Sequence, residues 1–298
     1  MGNSIDAMLD DFDWWFIPVL NPDGYVYSWQ HDRFWRKNRS LPPSCEKSNE
    51  QCDETTEPDP DCFCCHGVDL NRNFGTAWED SDHPYCSSSY AGPEPFSEPE
   101  SRALRAFVRA NEQTIVMYVA VHSYSQIWSF PFAYRHMQPL PRPKRQWLHD
   151  LLATISEAIK ERSGAVYTYG PTNEQLYSAS GTTQDWVANA TAVPFSIAVE
   201  LPPAMQETRQ LDEAYSAFCL PASAIESTVQ DVLLAMHHMQ QQLRALQHCC
   251  NYTVPRLKRA SNTQAGTCRL LLLFVTAVFV VFSVCFILYV AVYLIWLV

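Results

Sequence analysis

Short apolar runs and longer amphipathic stretches alternate along this chain. Trp14–Leu20 reads as a first strand, and Asn21-Pro-Asp-Gly24 stops it with strong turn chemistry. Ile115–Val121 is almost wholly apolar and β-branched, the pattern of a buried strand, and it closes on His122. Val193–Glu200 alternates as a strand and closes on a carboxylate. Ile127–Phe132 is a further short strand or turn. Between these runs the period lengthens. Ser97-Glu-Pro-Glu100 opens a helix with a hydroxyl cap and an early proline, running to about Ala110 with Leu104, Phe107 and Val108 on one face. Gln146–Arg162 carries Trp147, Leu151, Ile155 and Ile159 at helical spacing, and Gly164 ends it. Thr182 or Thr183 caps a short helix through Asp185-Trp186, and a long helix follows Leu220-Pro-Ala-Ser to about Leu246. Residues 1–13 are acidic and read as a helix end, while 41–65, rich in Pro, Asp, Glu and Cys, reads as a surface loop. The fold class predicted is α/β, a mixed β-sheet flanked by helices, with a hydrophobic helix after it.

That last helix comes from Leu270–Val298, an apolar run without a charge and long enough to cross a bilayer. It predicts a transmembrane helix or a glycolipid-anchor signal. Arg256, Lys258, Arg259 and Arg269 precede it and, by the positive-inside tendency, would lie in the cytosol. The sequons Asn38, Asn189 and Asn251 put the domain outside instead, as glycosylation acceptors. Removal of the tail, with attachment near Ser261-Asn262 or Ala265-Gly266, eases that conflict. The organisation expected is a globular domain over 1–248 with the 41–65 insert, a juxtamembrane linker over 249–269, and a span or signal over 270–298.

Composition narrows the picture. At 298 residues with 47% hydrophobic content, one large core or two small ones fit. A net charge of −11 argues against nucleic acid as a partner. Of eleven cysteines, Cys45, Cys52, Cys62, Cys64, Cys65 and Cys86 fall in one region and read as disulfide cysteines of an oxidising compartment. The location expected is therefore the extracellular face of a membrane. Met1-Gly-Asn-Ser-Ile-Asp has neither the basic flank nor the apolar core of a secretory signal, so the chain reads as incomplete at its start.

Candidate chemistry gathers around the strand ends. A histidine at the carboxyl end of a buried strand suits a metal ligand or general base. Asn71 and Arg72 offer amide and guanidinium donors that pair well with a planar carboxylate. Arg33–Arg39 is a basic cluster whose interleaved Phe34 and Trp35 suggest arginines held against a packed wall, and Tyr177-Ser-Ala-Ser-Gly181 is a small-residue loop bearing one phenol.

Six segments in this order resemble the zinc carboxypeptidase family of the pancreatic A/B type, over roughly residues 10–235. They are Asn21-Pro-Asp-Gly24, Arg33-Phe-Trp-Arg-Lys-Asn-Arg39, Gly67-Val-Asp-Leu-Asn-Arg-Asn-Phe74, His122-Ser-Tyr-Ser-Gln126, Tyr177-Ser-Ala-Ser-Gly-Thr-Thr-Gln-Asp-Trp186 and Val199-Glu-Leu201. The resemblance implies a carboxypeptidase-like fold and a Zn2+-dependent exopeptidase that removes single residues from peptide or protein C-termini by attack of a zinc-bound water. It implies that His122 is a zinc ligand, Glu200 the general base and acid, and Arg36 the stabiliser of the oxyanion. Asn71, Arg72 and Tyr177 would hold the terminal carboxylate, Ser123 and Tyr124 would line the substrate site, and Gln184 would form the floor of the side-chain pocket. A neutral amide at that floor implies a weak preference tilted to polar or uncharged side chains. Cys65 and Cys86 match a family disulfide. The family's other two zinc ligands come from a His-x-x-Glu pair upstream of Asn-Pro-Asp-Gly. None of the nine histidines here begins such a pair, so both are expected upstream of Met1. The alternative is a non-catalytic, membrane-anchored binder of peptide C-termini.

Overall fold

Two parallel strands form the axis of the molecule. In the computed structural model of the chain they are β2 (Ile115–Ser125) and β5 (Phe195–Ala204), paired so that His122 lies beside Glu200. The structure describes residues 12–41, 65–81, 83–205, 217–249 and 268–273; of 247–249 and 268–273 it describes the backbone alone. The remaining strands are β1 (Phe12–Ile17), β3 (Ile127–Phe130), β4 (Thr168–Pro171) and β6 (Cys268–Leu273). The sheet order is β1-β6-β2-β5-β3-β4, all parallel except the antiparallel β3–β5 pair.

Alternation along the central strands feeds two cores, one on each face. Met117, Val119 and Val121, with Ile197 and Val199, pack under α3 (Arg142–Ser163) and α6 (Ser223–Cys249), where Leu148, Leu152, Ile155, Ile159, Val232 and Met239 meet them. Tyr118, Ala120 and Ala198 face the other way. They pack with Leu104 and Val108 of α2 (Pro99–Asn111) and Trp186 and Val187 of α5 (Thr183–Ala190). A mixed sheet covered by helices on both faces is thus the observed class.

Several sequence expectations shift. The segment Asn21-Pro-Asp-Gly24 does not merely turn the chain. Asn21 caps α1 (Pro22–Gln30) by accepting from the Gly24 amide at 3.0 Å, and Pro22 takes the first helical position. Phe12 and Asp13 are strand, not the end of a helix; residues 1–11 lie outside the described residues. His122 and Glu200 do not terminate their strands, which continue to Ser125 and Ala204. The hydroxyl cap expected at Ser97 is absent: Glu98 is the N-cap residue of α2, with no side-chain cap bond. α3 begins at Arg142, ahead of the expected start, with Pro143 in its first turn. β4 and the single turn α4 (Thr172–Gln175) had no sequence signal, being only four residues each.

The largest correction concerns the tail. Its start, expected as a hydrophobic helix from Leu270, is strand β6, inserted between β1 and β2 and parallel to both. An apolar β-rich run reads equally as strand or helix by period alone. Residues 274–298 lie outside the described residues, as do 42–64 with Cys45, Cys52, Cys62 and Cys64. Among the described residues no helix is long and apolar enough to cross a membrane.

Candidate active site

Beyond Ala120 and Ala198 the same alternation turns His122 and Glu200 toward the face that carries α2 and α5. Both line a cleft of about 470 Å³ that also receives Arg36, Asn71, Arg72, Ser123, Tyr124, Tyr177 and Gln184. All nine residues singled out in the sequence for catalysis, substrate or metal therefore meet in one place, although they span residues 36 to 200.

The 3₁₀ turn Leu70–Arg72 sets the positions of Asn71 and Arg72, and Asp69 organises it. One oxygen of this buried acid caps the turn by accepting from the Asn71 amide at 3.0 Å; the other accepts from Arg36 Nε at 2.8 Å. Arg36 is thereby aimed from a separate segment, with its side chain 25% exposed against 1% for Asp69. Burial alone would raise the Asp69 pKa, but Arg36 and Arg72 hold it below the ordinary carboxylate value. Burial likewise works against the Arg36 charge, and Asp69, Tyr177 and Glu200 together more than offset this.

Asn71 is locked by donors that leave its orientation unambiguous. The Thr183 backbone amide and hydroxyl both donate to Asn71 Oδ1 at 3.0 Å, so the amide nitrogen is left for the cleft. Arg72 is buried, donating through Nη1 to the Asn71 carbonyl at 2.8 Å and through Nη2 to the Tyr177 hydroxyl at 3.0 Å. Its Nε is buried and donates to nothing among the described residues. Tyr177 is 65% exposed, at the rim. Tyr124, which also lines the cleft, packs edge-on against Phe218 with ring centroids 4.9 Å apart.

The Tyr177 loop is tied to the turn at Gly181. Its carbonyl accepts from Phe74 N and its amide donates to Thr76 O, both at 3.0 Å. Its φ of +64° is left-handed, and a Cβ there would lie 2.0 Å from the Arg72 carbonyl oxygen. Thr182 then caps α5, as expected, which carries Gln184 and the buried Asp185. Asp185 accepts from the Ala133 and Tyr134 amides at 2.9–3.0 Å, and burial pushes its pKa up to about 6 against those bonds.

Burial, reinforced by Arg36 and Arg72, pushes the His122 pKa down to about 3, so the imidazole is neutral and keeps a lone pair. Burial pushes the Glu200 carboxyl up to about 8, with the two arginines opposing. A neutral imidazole is the form that binds zinc. A catalytic zinc, however, needs three protein ligands. Among the described residues no group of three His, Cys, Asp or Glu side chains could hold a metal. These residues supply one corner of such a site, and no chemical step is assigned to a metal here.

Cys65 and Cys86 are joined as a disulfide. Asn189 is exposed on α5, while Asn251 lies outside the described residues. Asn38 is corrected as a glycan acceptor: it is 1% exposed, and its Nδ2 donates to Glu98 Oε2 at 2.6 Å. A buried, engaged amide nitrogen supports a loop and leaves no room for a sugar. Sequence reasoning gave Thr183 only a possible helix cap, and gave no role to Ser129, Thr172 or Asp185. Their partners lie 12 to 112 residues away, and no local spacing announces them.

The zinc carboxypeptidase (Peptidase_M14) model matches residues 2–235, and the chain belongs to that family. It is 34% identical to rat (Rattus norvegicus) mast cell carboxypeptidase A over 232 residues, covering 77% of this chain and 48% of that protein. To rat carboxypeptidase B it is 34% identical over 242 residues, covering 80% and 50%. The chain thus spans about half the length of the curated relatives it matches. Bovine thrombin-activatable fibrinolysis inhibitor, solved with a tick carboxypeptidase inhibitor, superposes with a TM-score of 0.62 at 33% identity, covering 76% of this chain and 68% of that one. Helicoverpa armigera carboxypeptidase A gives a TM-score of 0.60 at 28% identity, covering 79% and 51%.

Proposed function

We propose that the cleft receives the C-terminal residue of a peptide and that the protein is an exopeptidase acting there. One observation carries this reading: the Arg72 guanidinium lines the cleft beside an Asn71 side chain whose oxygen already accepts from Thr183, which leaves the Asn71 amide nitrogen as a donor. Donors fixed in a fork at the edge of a cleft suit a planar carboxylate, and burial makes each bond to it stronger than in water. Tyr177, already bonded to Arg72, closes the rim over the bound chain end. Arg36, held by Asp69, stabilises negative charge developing on the neighbouring carbonyl. Glu200, next to His122, holds or passes a proton. Zinc, when bound, supplies a Lewis acid and an acidified water; His122 is the residue here that would hold it. The disulfide supports maturation in an oxidising, extracellular setting.

The test is equilibrium binding of one short peptide with a free or an amidated C-terminus to the full chain. The free form binds tighter, and Arg72→Gln lowers its affinity roughly 10- to 100-fold, as loss of hydrogen bonds to a charged group predicts. Equal affinity for the two forms ends the reading. A second reading, a binder without turnover, is favoured by the finding that the described residues contain no group of three side chains able to hold a metal. Stoichiometric zinc together with release of the terminal residue excludes it; carboxylate-dependent binding without release establishes it.

A further inference from the structure

We propose that Asp185 is a positioning residue for Tyr177: its buried carboxylate clamps the segment 133–135, and that segment holds the middle of the Tyr177 loop, so that the phenol stays beside Arg72 at the rim. This rests on the reading of the cleft as a C-terminus site.

Asp185 is the third residue of α5, where an acid ordinarily reaches back to the cap of its own helix. It does keep a bond to the Thr182 side chain, but both of its oxygens also reach a distant part of the chain. Oδ1 accepts from the Ala133 amide at 2.9 Å, and Oδ2 accepts from the Ala133 and Tyr134 amides at 3.0 Å, across 51 or 52 residues. Asp185 is fully buried, so water does not replace these bonds. Burying a carboxylate is costly. Capping does not call for it, since Thr182 already caps α5. What the charge does provide is a strong pair of acceptors for two successive amides.

The segment 133–135 has no helix or strand of its own, so it takes its shape from such ties. It passes them on at two points. The Ala133 carbonyl accepts from the Ala179 amide at 3.2 Å, and the Arg135 amide donates to Ser178 Oγ at 3.1 Å. The ends of the loop are fixed elsewhere: Leu176 N donates to the Thr172 carbonyl at 2.9 Å, and Gly181 is tied to Phe74 and Thr76. Residues 178 and 179, next to Tyr177, therefore take their place from the clamp. Tyr177 is largely exposed while its hydroxyl meets Arg72. A side chain so exposed has little packing to hold it, so the backbone beneath sets where the phenol reaches.

The experiment measures one peptide, with a free or an amidated C-terminus, on the full chain by titration calorimetry. The proteins are the wild type, Asp185→Asn and Ser178→Ala, each with and without Tyr177→Phe. Asp185→Asn keeps one acceptor and turns an amide group toward the other N–H. Ser178→Ala cuts the outer tie at an exposed residue; if Asp185→Asn does not fold, it carries the test. Each variant lowers the preference for the free form by roughly 3- to 10-fold, one net hydrogen bond's worth. In the Tyr177→Phe background neither lowers it further, as coupling through Tyr177 requires. A preference unmoved by both variants overturns the inference. So does an equal loss with and without the Tyr177 hydroxyl, which marks a general structural role. A fluorotyrosine installed in place of Tyr177 gives a readout that needs no peptide: its fluorine resonance shifts in both variants, and an unmoved resonance overturns the clamp. Equal binding of free and amidated peptide by the wild type ends the C-terminus reading instead, and the fluorine shift then decides the clamp by itself.

Discussion

Arg36, Asn71 and Gln184, which line the cleft, are each held by neighbours to which no chemical role is assigned. Asp69 shows what such a neighbour contributes. Its carboxyl is held below the ordinary 3.8 by Arg36 and Arg72. A depressed folded pKa stabilises the protein above the unfolded value, and that contribution is lost as pH falls through the lower folded value. Asp69→Asn therefore removes stability at neutral pH and flattens its fall below pH 3.8, which urea unfolding between pH 7 and pH 2.5 measures. The same variant lets Arg36 swing. The nine cleft residues were legible because they sit in the motifs that carry the family resemblance. Their supports were not. Thr183 reaches Asn71 across 112 residues, and a threonine at a helix N-terminus reads first as a cap.

At the scale of elements, short connections carry the geometry. Gly181→Ala meets both a left-handed φ and the Arg72 carbonyl, so it costs more than ~1 kcal/mol. It also weakens binding of free-carboxylate peptides more than that of amidated ones, because the displaced backbone belongs to the anion fork. The disulfide closes a segment of 21 residues that includes Asn71 and Arg72. Cys65→Ser lowers stability by about 3 kcal/mol on the chain-entropy account, visible as an earlier urea midpoint. β6 tests the tail. Leu271 pairs with Trp15 on one side and Tyr118 on the other, and a proline in an inner strand removes a ladder bond and clashes. Leu271→Pro destabilises the sheet if this segment is a strand. If the segment instead lies outside the fold, the midpoint does not move. Helices α2 and α3 were readable from their periods, and α6 from the Leu220-Pro-Ala-Ser segment that precedes it. The β-branched runs gave the central strands but not their ends, since strands continue as long as partners remain, whatever the local polarity.

For the whole molecule, stability and chemistry are separated by the sheet. α3 and α6 cover one face far from the anion fork, so Ile155→Ala costs ~2–5 kcal/mol as a buried large-to-small change, and peptide affinity at saturating fold stays unchanged. The chain carries a net charge of −11, yet its cleft presents Arg36 and Arg72; in the function proposed above, a local concave field and not the net charge meets an anionic chain end. The sequence by itself determined the family, the alternating elements and the residue types that line the cleft, because period, capping chemistry and motif are local properties. Only the tertiary structure decided that an apolar stretch expected as a helix begins as a central strand. It also decided that Asn38 is a buried support and that Gln184 is clamped between Ser129 and Thr172. Those outcomes depend on which distant groups compete for the same hydrogen bonds, and on which strand finds two free neighbours.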